Sequence, residues 1–317
     1  MTVVVAVEGL RKSYGGTERL HGISFEVHAG EIFGFLGTNG AGKTTTIEIL
    51  EGYRSRDAGR VSVLGTDPAR ADRAWRNRIG LVLQECELDP VYRVRETVSM
   101  FARYFDSPTD VVATIAAVGL ADKADSRVGH LSGGQKRRLD VALGLIGDPE
   151  VLFLDEPTTG LDPSARRDMW AMVEGLRDVG KTIFLTTHYM DEAQTLADRI
   201  IILRAGDIAA EGTPDELSRS LGDHSDISFV ASGGAGTLDS VLARVQVGTG
   251  LAFEAHGAVA RLRSGHPQRD LSVLLRFAEQ ESLELADLQV VRPTLDDVFV
   301  ELAGPAAAVA AVAPSPP

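Results

Sequence analysis

The stretch Gly37-Thr-Asn-Gly-Ala-Gly42-Lys43-Thr44 constrains the fold more than any other part of this chain. It fits the pattern G-x-x-x-x-G-K-[ST] in full. It lies between the apolar run Ile32–Leu36 and a helical pattern that opens at Lys43. A strand feeding a helix through such a loop turns backbone N–H groups toward one point, at the positive end of the helix dipole, and so cradles phosphate. Asn39, Gly40, Ala41, Gly42, Lys43, Thr44 and Thr45 are the candidate binding residues. Lys43 would place a point charge on the β- and γ-phosphates, and the Thr44 hydroxyl would coordinate Mg²⁺. The competing reading is a glycine-rich turn with an accidental Lys-Thr, and the flanking strand and helix speak against it.

A loop of this kind needs an α/β sheet. Strand candidates are Val3–Val7, Ile23–Val27, Ile32–Leu36, Arg60–Val63, Ile79–Leu83, Val151–Leu154, Thr182–Thr186 and Ile200–Leu203. The last three are nearly continuous apolar runs, as expected of parallel strands buried on both faces. Helical patterns follow Lys43, Thr97, Ser132, Pro163 and Asp191, and the N-terminal end is more antiparallel. Near Leu221 the texture changes. Strand Ile227–Val230, helix Leu238–Val245, strands Leu251–Ala255 and Val259–Leu262, helix Leu271–Glu279 and strand Leu283–Val291 give a βαββαβ order. That is the split-βαβ, ferredoxin-like arrangement. A last helix starts at Thr294, where T-L-D-D resembles a capping box with Asp in place of Glu or Gln. Three parts are expected: an α/β domain over 1–221, a small α+β domain over 222–303, and an Ala/Pro-rich disordered tail over 304–317. SGGAGT (232–237) has glycines but no following lysine, and is expected to be a turn.

The chain has 317 residues and a net charge of −13, which argues against a nucleic-acid binder working by bulk electrostatics. Cys86 is the sole cysteine, so no internal disulfide forms and a reducing compartment is expected. No apolar stretch approaches the ~20 residues of a membrane span, and the N-terminus has the wrong charge order for a signal peptide. Any work at a membrane needs another polypeptide to supply the span.

Two further stretches carry chemistry. Val151-Leu-Phe-Leu-Asp155-Glu156 is an apolar strand ending in two carboxylates, which places them at the sheet's C-terminal edge where ligands of open α/β sheets bind. Asp155 would hold Mg²⁺ through water, and Glu156 would polarise an attacking water as general base. Leu131-Ser-Gly-Gly-Gln135 feeds an amphipathic helix with Ser132 near its N-cap, and again presents N–H groups and a hydroxyl to an anion. The first loop already surrounds the phosphates. The second is therefore expected to face a nucleotide on another subunit.

The ordered set GTNGAGKTT, Gln84, LSGGQ, VLFLDEP, GLDP and TTH resembles the nucleotide-binding domain of ABC (ATP-binding cassette) proteins over residues 1 to about 220. The resemblance implies a P-loop cassette with a RecA-like core, an antiparallel β subdomain and a helical subdomain. It also implies hydrolysis of ATP with Mg²⁺, and two copies stacked head to tail. Ser132, Gly133, Gly134 and Gln135 of one copy would then serve the γ-phosphate held by the other. Tyr14 sits where the family stacks an aromatic on adenine. Gln84 would touch Mg²⁺ and the attacking water while sensing a membrane partner. Asp162 would link the two sites, and His188 would contact the γ-phosphate. Thr38 departs from the family's common proline but keeps its backbone donor, so activity should survive.

Within the family, LSGGQKRRLDVALGL, THYMDEAQTLADRI and PTLDDVFVELAG look like drug- or lipid-exporting cassettes of the daunorubicin-resistance type. Those pair with separately encoded ABC-2 membrane subunits, so the resemblance implies a peripheral protein on the cytoplasmic face of a bacterial membrane. An importer subunit, or a soluble ABC ATPase outside transport, is the alternative.

Overall fold

The computed structural model describes residues 2–84, 86–220, 224–232 and 238–303. The chain divides at Pro214/Asp215 into two compact units. SGGAGT beyond Ser232 and the tail from 304 onward lie outside the described residues.

The first unit holds strands β1 (Val3–Tyr14), β2 (Thr17–His28), β3 (Ile32–Gly37), β4 (Ala58–Val63), β5 (Ile79–Val82), β6 (Val151–Asp155), β7 (Thr182–Thr187), β8 (Arg199–Arg204) and β9 (Asp207–Gly212). Its helices are α1 (Lys43–Leu50), the short α2 (Arg73–Arg76), α3 (Val94–Ala102), α4 (Val111–Ala117), α5 (Gly133–Leu145), α6 (Pro163–Asp178) and α7 (Met190–Leu196). Strands β2-β1-β4 form an antiparallel sheet, and β5-β6-β7-β3-β8-β9 a second one, parallel except for β9 against β8.

The apolar strands are buried on both faces, and alternation allots each residue to one side. Phe33, Phe35, Val151, Phe153, Phe184, Ile201 and Leu203 meet α1 and the antiparallel sheet. There Phe25 of β2 stacks on Phe33 at 5.6 Å between ring centroids. Ile32, Leu152, Leu154, Ile183 and Leu185 turn the other way, onto a core shared with α3 to α6. The loops that leave β3, β6 and β7 all emerge at the C-terminal edge of this sheet.

Four local expectations shift. Helix α3 begins at Val94, before Thr97, because Glu96 accepts the Arg93 N–H at 2.8 Å and closes the first turn. Strand β5 stops at Val82, and the Leu83 carbonyl is taken by Arg137 instead of a neighbouring strand. Strand β9 has no counterpart in the sequence reading. Its segment Asp-Ile-Ala-Ala-Glu-Gly lacks β-branched alternation, but Ala205 (φ 46°) and Gly206 (φ 89°) form a tight reversal that returns the chain beside β8. Helix α4 was likewise unmarked; Asp110 caps it by accepting the Ala113 N–H at 2.8 Å.

The second unit contains α8 (Pro214–Ser220) at its start, then β10 (Ser225–Ser232), α9 (Leu238–Thr249), β11 (Glu254–His256), β12 (Val259–Ser264), α10 (Pro267–Gln280), β13 (Glu284–Val291) and α11 (Leu295–Ala303). The sheet order β11-β12-β10-β13 is antiparallel throughout, the topology expected of split-βαβ units. Ile227 and Phe229 of β10 form its core with Leu242, Val245, Leu274 and Ala278. Strand β11 begins later than Leu251, since that residue's N–H bonds the Thr249 hydroxyl at 3.1 Å and ends α9. At α11, Asp297 reaches back to the Thr294 N–H at 2.8 Å, so Asp does the work of Glu in this cap. Among the described residues, no helix is long and apolar enough to cross a membrane.

Candidate active site

The loop from β3 to α1 needs its glycines. Gly42 has φ 115°, and a Cβ there would lie 2.7 Å from Leu20 Cδ2. Ala41 is buried and donates its N–H to the Thr38 carbonyl at 3.0 Å, so Thr38 closes the turn through its carbonyl. Lys43 is 6% exposed; its Nζ donates to the Gly37 carbonyl at 2.8 Å and lies 3.7 Å from Glu156 Oε1. Burial lowers its pKa, and the negative charges of Glu156 and Asp155 work against that shift.

A pocket opens here, lined by Tyr14, Arg19, Asn39, Gly40, Gly42, Lys43, Thr44, Thr45, Gln84, Glu156, Thr159 and His188. Of the sequence-predicted phosphate-loop residues all but the buried Ala41 line one cavity of about 590 Å³, together with the predicted adenine, Gln and His residues. Tyr14 is reached over its ring by Lys12 and Arg54, at 5.5 and 5.2 Å from the centroid.

Glu156 follows β6 in a left-handed backbone conformation, φ 46°, which costs a non-glycine residue on the order of 1 kcal/mol. Its N–H is held by Thr186, carbonyl at 3.1 Å and hydroxyl at 3.2 Å. Its carboxylate lies between Lys43, the Thr159 hydroxyl at 3.2 Å and His188 Nδ1 at 3.2 Å. The histidine approach is an ion-pair distance without hydrogen-bond alignment. Contact with His188, opposed by burial and aided by Lys43, holds the Glu156 pKa below its ordinary value. Glu156 is thus an ionised base at neutral pH. The His188 ring also packs against Tyr189, tilted by 38° with 4.1 Å between centroids.

Asp155 is set back from this cavity. It is 9% exposed, and its carboxylate is hydrogen-bonded by the Thr186 hydroxyl. Burial raises its pKa, against that hydrogen bond. Thr44, Gln84 and Asp155 together offer a hydroxyl, an amide and a carboxylate oxygen, the hard donors that suit Mg²⁺. With Asp155 recessed, water would complete its reach, in keeping with the several waters Mg²⁺ usually retains.

The LSGGQ residues stand elsewhere. Ser132 caps α5: its hydroxyl accepts the Gln135 N–H at 3.3 Å, and Gln135 Oε1 accepts the Ser132 N–H at 3.0 Å. Neither Ser132, Gly133, Gly134 nor Gln135 lines the cavity, and Ser132 and Gly133 are exposed. Asp162 is also outside it. Its Oδ1 accepts the Ser164 and Ala165 N–H groups, each at 2.9 Å, and caps α6. The two helix starts touch: a Cβ on Gly134 would lie 2.8 Å from Ala165 Cβ, so glycine there permits their approach.

Sequence reasoning missed four residues. Arg19 and Thr159 line the cavity, Thr186 pins both carboxylate residues, and Arg137 bonds the carbonyls around them. The signal for Arg137 was available: an arginine four residues before Val141, on the apolar stripe of α5.

Comparison with known proteins bears on the family and the fold. Residues 20–159 match the family described as ABC transporter. The chain is 38% identical over 306 residues to the daunorubicin resistance ATP-binding protein DrrA3 of Streptomyces coeruleorubidus, covering 95% of this chain and 96% of that one. It is 47% identical over 217 residues to the Nod factor export ATP-binding protein I of Burkholderia orbicola, covering 67% and 71% of the two chains. Among solved structures, cbiO1 from Clostridium perfringens, part of the ABC transporter complex cbiONQ, superposes with a TM-score of 0.62 at 29% identity, over 68% of this chain and 91% of that one. With a P-loop, a carboxylate-ended strand and an LSGGQ helix in that fold, this chain belongs to the ATP-binding proteins of ABC transporters and is an ATP hydrolase.

Proposed function

We propose that the chain is the ATPase subunit of an exporter, acting as a head-to-tail pair that holds two MgATP and drives a separate ABC-2-type membrane subunit. One observation carries the pairing: the phosphate cavity of this chain contains none of the LSGGQ residues, whose Ser132 and Gly133 face solvent. A second copy can bring them to the γ-phosphate. Asp162, beside the LSGGQ helix start, would then stand at the junction between the two sites. Export rests on the two relatives, whose names state daunorubicin resistance and Nod factor export.

Within each site, Tyr14 stacks on the adenine, and the loop Asn39–Thr45 wraps the phosphates. Lys43 neutralises their charge. Glu156 accepts the proton of the attacking water, while Gln84 and His188 orient that water and the γ-phosphate. Thr44, Gln84 and Asp155 would hold Mg²⁺, which would supply neutralisation of the phosphate charge. Closure of the pair over two nucleotides supplies the differential binding energy that moves the membrane subunit, and hydrolysis resets it. Residues 222–303 serve dimerisation or contact with the membrane partner; they have a core of their own.

The test is mild-detergent co-purification of tagged Glu156→Gln protein with ATP, from the native membranes of its source. A multi-span ABC-2 partner is the expected result. An importer-type permease would overturn the export reading, and recovery of soluble partners alone would overturn transport itself.

A further inference from the structure

We propose that Arg137 is a positioning residue that ties Gln84 and Glu156 to the helix carrying the LSGGQ loop. The inference rests on the reading of Glu156 as the general base. Arg137 is 7% exposed, on the inner face of α5, five residues after Ser132. Its side chain has five N–H donors, and they reach five main-chain carbonyls. Nε donates to Pro157 O at 2.9 Å, and Nη2 to Asp155 O at 2.8 Å and Glu156 O at 3.3 Å. Nη1 donates to Leu83 O and, at 3.4 Å, to Gln84 O. Three segments thus meet on one guanidinium: the end of β5 leading to Gln84, the end of β6 carrying both carboxylates, and α5 itself.

A buried guanidinium is costly unless its donors are satisfied. The nearest carboxylate, Asp140, lies 3.7 Å away on the same helix. Asp140 offsets the charge, and the carbonyl dipoles satisfy the donors and fix the direction of the guanidinium. Glu156 shows what that direction serves. Thr186 holds its N–H side, Arg137 holds its carbonyl side, and between them the left-handed backbone is maintained. A movement of α5, when a nucleotide engages Ser132, is transmitted to the carbonyls of Gln84 and Glu156 through this one group. Lysine cannot substitute fully, because a point charge on a flexible stem does not span three segments.

The experiment compares full-length wild type, Arg137→Met, Arg137→Lys, Glu156→Gln and the double variant Arg137→Met/Glu156→Gln. ATP affinity is measured by fluorescent-nucleotide titration, and turnover by phosphate release well below each variant's Tm. Arg137→Met should lower kcat about tenfold or more while ATP affinity stays within about threefold, and Arg137→Lys should recover part of the loss. In the Glu156→Gln background, Arg137→Met should cost clearly less than it does alone, since the base it positions is gone and only the hold on Gln84 is left to lose. Near-normal turnover in Arg137→Met overturns the proposal. So does loss of ATP affinity in step with kcat, or a full multiplication of the two losses. If Arg137→Met fails to fold, Arg137→Lys decides: reduced kcat with intact affinity supports the proposal, and wild-type kcat overturns it. Failure of the Glu156 reading shows separately, as normal turnover in Glu156→Gln alone.

Discussion

Replacing Glu51 by Gln should stabilise the first unit at pH 8 and leave it unchanged near pH 4. Glu51 closes the C-terminal end of α1, where its N–H bonds the Ile47 carbonyl, and it is 7% exposed. Among the described residues, its carboxyl group has no hydrogen-bond or ion-pair partner. Burial, then the charges of Asp155 and Glu48, push its pKa up from 4.5 to about 8. The sign follows from proton counting. Below about pH 4.5 both folded and unfolded chains hold the proton, and this residue adds no pH slope. Between there and pH 8 only the folded chain holds it, so stability falls with each pH unit by about 1.36 kcal/mol. Over the whole interval the loss reaches at most roughly 5 kcal/mol, and the negative end of the α1 dipole acts in the same direction. Gln keeps the shape and removes the proton. Urea unfolding followed by tryptophan emission provides the assay, because Trp75 and Trp170 both lie in the first unit. Wild type should lose stability relative to Glu51→Gln steadily from pH 5 to 8. Parallel pH profiles for the two proteins would refute the reasoning.

Two further outcomes bear on the division of labour. Glu156→Gln should cost about 10² to 10⁴ in ATP turnover, as expected for loss of a general base, while ATP affinity holds; steady-state phosphate release with nucleotide titration checks it, and full turnover would remove Glu156 from catalysis. Ser132→Arg should leave ATP binding to the single chain intact, because Ser132 lies outside its cavity. It should abolish ATP-dependent pairing by size-exclusion chromatography, and loss of single-chain binding would contradict the proposed arrangement.

Much of the site could be read from local chemistry. G-x-x-x-x-G-K-T between an apolar strand and a helix fixes a phosphate loop, since backbone donors, helix dipole and lysine are all neighbours in the chain. Val151–Glu156 was legible for the same reason: an apolar strand buried on both faces runs to its carboxylates, and β6 takes in Asp155 but stops before Glu156. The second unit was legible as an order of elements, because its strands alternate and its helices are amphipathic. Strand β9 was not, because two alanines carry no strand signal and only pairing with β8 makes them extended.

Other features depended on residues far apart in sequence. The left-handed turn at Glu156 is imposed by Thr186 and Arg137, 30 and 19 residues away, and no local pattern announces it. Asp155 and Glu156 are adjacent, yet one is recessed against Thr186 and the other faces Lys43 and His188. Their pKa values move in opposite directions as a result. The sequence by itself determined which chemical groups are present and which backbone segments can cradle an anion, because those depend on neighbours along the chain. The tertiary structure alone decided which carboxylate meets the cavity and which loop is left facing outward, because burial and distance between remote segments set charge state and direction.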